Sequence, residues 1–104
     1  MNFKSELSKG NLVTSWCISC NHTVWPPSEF CDICLGDIIW KRPSMYGKIV
    51  EYSKVDGGYS CIIQMDDSFT ILGRVENTPK TDQRVKLHKC GIRDGTCFFD
   101  MMLL

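Results

Sequence analysis

The sequence predicts a mainly β chain in two parts: a cysteine-bearing ribbon with a short N-terminal helix over residues 1–44, and a small closed barrel over residues 45–104. Three observations carry that expectation. Two C-x-x-C pairs, Cys17/Cys20 and Cys31/Cys34, stand ten residues apart in "CISCNHTVWPPSEFCDIC". From residue 45 onward, five runs rich in β-formers are separated by regular turn signals. At 104 residues the chain is one domain's worth, enough to bury a modest core, where anything much smaller usually needs a metal or disulfides.

The cysteine count decides how the first part is read. There are seven, an odd number that suits no closed disulfide framework. The opening "MNFKSELSKGNL" lacks the apolar core of a secretory signal, and no apolar run reaches bilayer length, so a cytoplasmic, reducing setting is expected. In that setting two C-x-x-C pairs are metal knuckles. Each x-x turn brings two sulfurs to one side of a tight loop, and two facing loops supply four thiolates. A tetrahedral S₄ set suits Zn²⁺, with iron as the competitor. Cys17, Cys20, Cys31 and Cys34 leave no open coordination position, so the ion is expected to be structural, in a rubredoxin-like zinc ribbon. His22, two residues past Cys20, is the nearby rival ligand and reads as a solvent-facing turn residue. Thioredoxin-type redox chemistry at a single C-x-x-C would leave the second pair without a purpose.

Along the ribbon, "FKSELSKG" reads as a short helix with Phe3 and Leu7 on one face and Gly10 as its stop. Two turns are unstable alone in water, so this helix must lie on its own ribbon or on another protein. "NLVTSW" (11–16) and "DIIWK" (37–41) read as the ribbon strands. Pro26 and Pro27 fix φ and withdraw two N–H donors, making "WPPSEF" a stiff extended turn. Trp16, Trp25, Phe30 and Trp40 are more aromatic surface than so small a ribbon buries, and such a patch marks an interface. Trp25 is the first candidate anchor, with Phe30, Phe3 and Leu7 as further partner-binding residues.

In the second part, "GKIVEYSKV" (47–55), "YSCIIQM" (59–65), "FTILGRV" (69–75), "RVKLHK" (84–89) and "TCFFDMML" (96–103) read as five strands, with "CGIRDG" (90–95) as the last turn. Phe69, Ile71, Gly73 and Val75 share one face, as do Val85 and Leu87. Five short strands in so short a span fit an OB-fold barrel. Cys61 and Cys97 fall within strand patterns as small buried hydrophobes, and Cys90, before a turn glycine, is open to exposure. Asp66 and Asp67 read as a turn pair that caps backbone.

Catalytic constellations are thin. The chain has two histidines, His22 and His88, and no P-loop, G-x-G-x-x-G, G-x-S-x-G or H-E-x-x-H motif, so it is not expected to be an enzyme. Lys80, Arg84, Lys86, Lys89 and Arg93 stand against a lone acid, Asp82, over residues 80–93. A basic edge of that kind on an OB barrel can track the phosphates of a nucleic-acid strand or of coenzyme A, or be a solvated sheet face. Twelve basic and twelve acidic residues cancel overall, which speaks against a single-stranded nucleic-acid module, the alternative function.

The order of parts resembles a known family. "G-N-L-V" before the first C-x-x-C, "W-P-P" between the pairs, "W-K" after the second, then "Y-G-K-I-V-E-Y-S", are similar to the thiolase-associated zinc-ribbon/OB-fold proteins, or domain of unknown function 35, over nearly the whole chain. The resemblance implies a non-catalytic accessory subunit of an acyl-CoA thiolase complex. It implies a scaffold bridging acetoacetyl-CoA thiolase and hydroxymethylglutaryl-CoA synthase in the mevalonate pathway, with the barrel helping to enclose CoA. By position, the family's metal ligands fall on Cys17, Cys20, Cys31 and Cys34. The family often has glycine after the second and fourth cysteines, where this chain has Asn21 and Leu35. Asn21 tolerates left-handed backbone, and Gly36 is expected to turn the second knuckle in place of Leu35.

Overall fold

The computed structural model describes residues 3–104. One helix, α1 (Phe3–Ser8), precedes eight strands: β1 (Thr14–Cys17), β2 (His22–Val24), β3 (Ile38–Lys41), β4 (Tyr46–Val55), β5 (Gly58–Met65), β6 (Phe69–Val75), β7 (Arg84–Arg93) and β8 (Thr96–Leu103). The first three form an antiparallel sheet in the order β2-β1-β3, and the last five close into a barrel in the order β4-β5-β6-β8-β7. Every barrel pairing is antiparallel except β6–β8, which meet in parallel at Arg74 and Asp100. That circuit is the five-stranded OB arrangement. Register shifts at Ile49/Glu51 in β4 and at Leu87/Lys89 in β7 supply the bends that closing so short a sheet requires.

Strict alternation builds the barrel interior. In β6, Phe69, Ile71, Gly73 and Val75 point inward and Thr70, Leu72 and Arg74 outward. They join Ile49, Ile63, Met65, Val85, Phe99 and Met101 in one core. Gly73 marks a tight seat: a β-carbon there would lie 2.5 Å from Ile63 Cδ1 and 2.7 Å from Met101 Cγ.

The helix lies mainly on the barrel, and through Phe3 it also touches Trp25 of the ribbon. Leu7 is fully buried in the barrel core beside Leu12 and Cys90, and Phe3 packs on the edge of that cluster. A short helix has few contacts of its own, so its place is set by this burial and by its stop. Gly10 takes φ +86°, the Asn11 N–H donates to Glu6 O (2.9 Å) and the Gly10 N–H to Leu7 O (2.9 Å). This pair of bonds is the Schellman stop, satisfying carbonyls the helix would otherwise leave open.

The β5–β6 turn ties the two sheets together. Thr23 Oγ1 donates to the Asp67 carbonyl (2.8 Å), and the Ser44 N–H in the connecting segment donates to Asp67 Oδ2 (2.7 Å). Arg84 grips Asp66 through two parallel bonds of 2.8 and 2.9 Å. Asp67 caps backbone as expected and helps fix the ribbon to the barrel, while the Asp66 carboxylate is taken by Arg84 and the Ser44 hydroxyl. Trp25 completes the junction, edge-on to Phe3 (centroids 5.5 Å) and tilted over Phe69 (4.6 Å).

Three local expectations are corrected. β2 lies in what reads as a turn, because its short polar stretch gains strand geometry only by pairing Val24 with Ser15 and His22 with Cys17. β7 continues through Cys90 and Gly91, so the last turn shrinks to Asp94 and Gly95. The register shift after Leu87 then reverses the parity of β7. Cys90 faces inward at 4% exposure, while Cys97, opposite Ile92 near the hairpin tip, is exposed.

Candidate metal centre

Each C-x-x-C turn is built the same way. The N–H of the residue four past the first cysteine closes the loop: Asn21 N–H to Cys17 O at 2.8 Å, and Leu35 N–H to Cys31 O at 3.0 Å. Both closing residues sit in left-handed backbone, Asn21 at φ 55° and Leu35 at φ 57°. Leu35 therefore turns the second knuckle itself, correcting the expectation that Gly36 does so. Inside the loops, N–H groups point at sulfur: Cys20 N–H to Cys17 Sγ (3.3 Å), Ile33 N–H to Cys31 Sγ (3.4 Å) and Gly36 N–H to Cys34 Sγ (3.3 Å). Such donors stabilise thiolate over thiol.

The four sulfurs converge. All lie within 4.8 Å of one another, with Cys17–Cys34 at 3.6 Å and Cys20–Cys31 at 3.8 Å. A tetrahedron of Zn–S bonds about 2.3 Å long has sulfur–sulfur edges of about 3.8 Å, so the donor set fits zinc in both chemistry and spacing. When bound, the ion would cross-link the two knuckles and close a four-sulfur site with no position for substrate. Cys17 and Cys31 are buried, Cys20 is partly covered and Cys34 is exposed, so the site opens toward solvent on one side.

The thiols are not equivalent in their acidity. Cys31 is lowered to about 6, first by the backbone N–H of Cys34 and then by His22. Cys20 is pushed up to about 12 by the neighbouring Cys34 sulfur, by burial and by the other sulfurs. Cys17 also stands above its ordinary value. The backbone N–H of Cys20 pulls it down, but burial and the Cys34 and Cys31 sulfurs outweigh that pull. The Cys31 thiolate therefore forms readily while Cys17 and Cys20 resist taking on charge, the condition a dication relieves by displacing their protons.

His22 departs from its expected place. It is half-buried on β2, with Nε2 3.4 Å from Cys31 Sγ and 3.9 Å from Asp32 Oδ1. His22, Cys31 and Asp32 form a second close trio, in which the imidazole addresses the Cys31 sulfur from outside the four-sulfur set. The C-x-x-C spacing gave no sign of it, since β2 is what brings His22 back.

The expected partner-binding residues separate. Leu7 is buried in the chain's own core and is unavailable to a partner, and Phe3 and Trp25 are engaged with each other and with Phe69. Of the four, Phe30 is exposed, at 55%. Trp16 is half-buried, with the Lys41 ammonium 4.3 Å from its ring centroid. The apolar surface lies elsewhere on the ribbon, at Ile18 (66% exposed), Ile33 (70%) and Leu35 (75%). Ile18 and Ile33 lie between paired cysteines, where residues read as spacers, and Leu35 follows the second pair.

On the barrel, the basic stretch is partly engaged within the chain. Arg84 is held by Asp66, Lys86 lies 5.6 Å from the Tyr46 ring and Arg93 4.6 Å from the Phe98 ring. Beside the β6–β8 junction, a groove of about 580 Å³ collects Arg74, His88 and Arg93 opposite Glu76 and Asp100. Among the described residues no helix is long and apolar enough to cross a membrane.

Solved structures with this fold include the Ltp2-ChsH2(DUF35) aldolase. That match has a TM-score of 0.70 at 13% identity, covering 94% of this chain and 90% of that one. A second is a protein of unknown function from the DUF35 family of Sulfolobus solfataricus, with a TM-score of 0.59 at 15% identity over 96% and 82% of the two chains. The chain has the DUF35 fold. The structural neighbours are thus members of the family that the sequence resembles. No family model and no curated protein matches the chain.

Proposed function

We propose that this chain is a non-catalytic accessory subunit of an enzyme that makes or breaks carbon–carbon bonds in acyl-CoA substrates. The observation that carries the reading is the end-to-end match, ribbon and barrel together, to the DUF35 component of an aldolase assembly. The site chemistry agrees with it. Four converging thiolates that can saturate a zinc ion are suited to holding shape, and they leave no vacancy for a substrate.

In this reading Cys17, Cys20, Cys31 and Cys34 hold a structural Zn²⁺, the ribbon (residues 1–44) reaches the enzyme and the barrel (45–104) faces the CoA carrier. The groove with Arg74, His88 and Arg93 is the place on the barrel where a phosphate-bearing carrier would be met. The finer form of the proposal follows the sequence resemblance: a cytoplasmic scaffold bridging acetoacetyl-CoA thiolase and hydroxymethylglutaryl-CoA synthase in the mevalonate pathway. Affinity purification of the tagged chain at its natural expression level tests both forms. Stoichiometric recovery of a thiolase- or aldolase-type subunit is expected. Recovery of that subunit without the synthase would remove the bridging role, and recovery of neither enzyme would remove the whole reading.

A further inference from the structure

Knuckle geometry forces certain side chains outward. With the Cys20 and Ile33 N–H groups aimed at sulfur, the polar backbone of each C-x-x-C turn faces the ion site. The side chains carried on these turns must then project into solvent. Nothing in the fold asks for apolar residues there, and serine, lysine or glycine would serve the turn as well or better. This chain places Ile18, Ile33 and Leu35 at those positions, exposed at 66, 70 and 75%, with Phe30 at 55% just before Cys31. Because all four sulfurs lie within 4.8 Å of one another, the residues adjacent to them are gathered around one centre. Large exposed apolar groups held on a rigid frame mark a docking surface.

Charge selects the occupant. Between Gly10 and Trp40 the sequence has no lysine or arginine, while Glu29, Asp32 and Asp37 are all exposed in the same stretch. An isologous contact with a second copy would set these acids against one another, and nucleic acid or an anionic membrane surface would be repelled.

We propose that Ile18, Ile33, Leu35 and Phe30 form the docking crown of the chain, and that its occupant is a protein face with an apolar centre and a rim of lysine and arginine. Resting on the accessory-subunit reading, that face belongs to the acyl-CoA enzyme.

The test uses the enzyme subunit recovered with the wild-type chain, identified by mass spectrometry and purified, with zinc content and circular dichroism checked for each variant. The double variant Ile33→Ser/Leu35→Asn changes two exposed side chains and keeps a residue that tolerates the Leu35 backbone. It is expected to weaken binding about 30-fold or more in calorimetry. Ile18→Ser, on the other knuckle, provides an independent arm and is expected to weaken it about 5-fold or more. Glu29→Lys/Asp37→Lys is expected to slow association about 10-fold and to flatten its dependence on salt. Zinc-loaded apolar variants that bind within 2-fold of wild type would overturn the docking assignment and leave the accessory-subunit reading standing. If no acyl-CoA enzyme is recovered, both fall together. Self-association that Ile33→Ser/Leu35→Asn abolishes would give the crown to a second copy instead, against the proposal.

Discussion

Removing the metal is expected to melt the knuckle region while the barrel stays folded, and the structure sets the magnitude. The ribbon's own buried cluster is Cys17, Val24 and Cys31, with Cys20 and Ile38 packed against it. Fully burying a Val or Ile side chain contributes about 1.5–3 kcal/mol, so buried Val24 and partly buried Ile38 together contribute at most about 3–6 kcal/mol. Binding of a structural zinc contributes about 10–16 kcal/mol in comparable small sites, roughly three times as much. The barrel has its own core, from Ile49 to Met101, and retains Leu7 and Leu12. Hydrogen exchange read by NMR before and after chelation separates the two regions. The Asn21, Cys31 and Leu35 amides, which close the knuckles, should lose protection, while the β5 and β6 amides and those of Gly10 and Asn11 should keep it. Protein shown by elemental analysis to be metal-free, yet still protecting Asn21 and Leu35, would refute this reasoning.

Further outcomes follow from single contacts. Leu7→Ala is expected to cost about 2–5 kcal/mol and lower Tm by about 10–30 °C in calorimetry, because Leu7 is a core residue and not a free contact. Leu35→Gly is expected to raise stability by about 1 kcal/mol in urea melts, since φ 57° is unfavourable for leucine and little leucine surface is buried there. Asp66→Asn is expected to cost at most about 1 kcal/mol, because the Asp66–Arg84 pair is half-exposed. Arg84 holds the Asp66 carboxyl below its ordinary value of 3.8, so the stabilisation is present above that pH and is lost as pH falls through the depressed folded value. Urea melts of wild type and Asp66→Asn should therefore differ at neutral pH and converge in acid.

Much of the barrel was legible because its strands obey a period of two. β6 and β8 run as their alternation and turn residues indicate, since each strand has one face in the core. The four-cysteine cluster was legible because the knuckle is a local structure whose sulfur spacing is written directly in C-x-x-C. What the sequence hid was set by contacts far along the chain. The register shift at Leu87/Lys89 reverses the parity of β7 and turns Cys90 inward, and no local pattern announces a bulge. β2 exists through its pairing with β1, and Leu7 finds its place in a core formed by residues from Leu12 to Met101. Trp25 looked like surplus aromatic area until Phe3 and Phe69 closed on it from opposite ends of the chain's first two-thirds. The apolar spacers in the knuckles were in plain view, but their exposure becomes meaningful once the N–H groups are seen to point at sulfur.

Native mass spectrometry of the chain purified under mild conditions from its own cells tests the central claim most directly, since one spectrum reads both metal and partner. The account predicts one zinc ion on each copy of the 11.9 kDa chain and its presence in a complex with an acyl-CoA thiolase- or aldolase-type subunit. A metal-free chain of that mass, travelling alone, would contradict it.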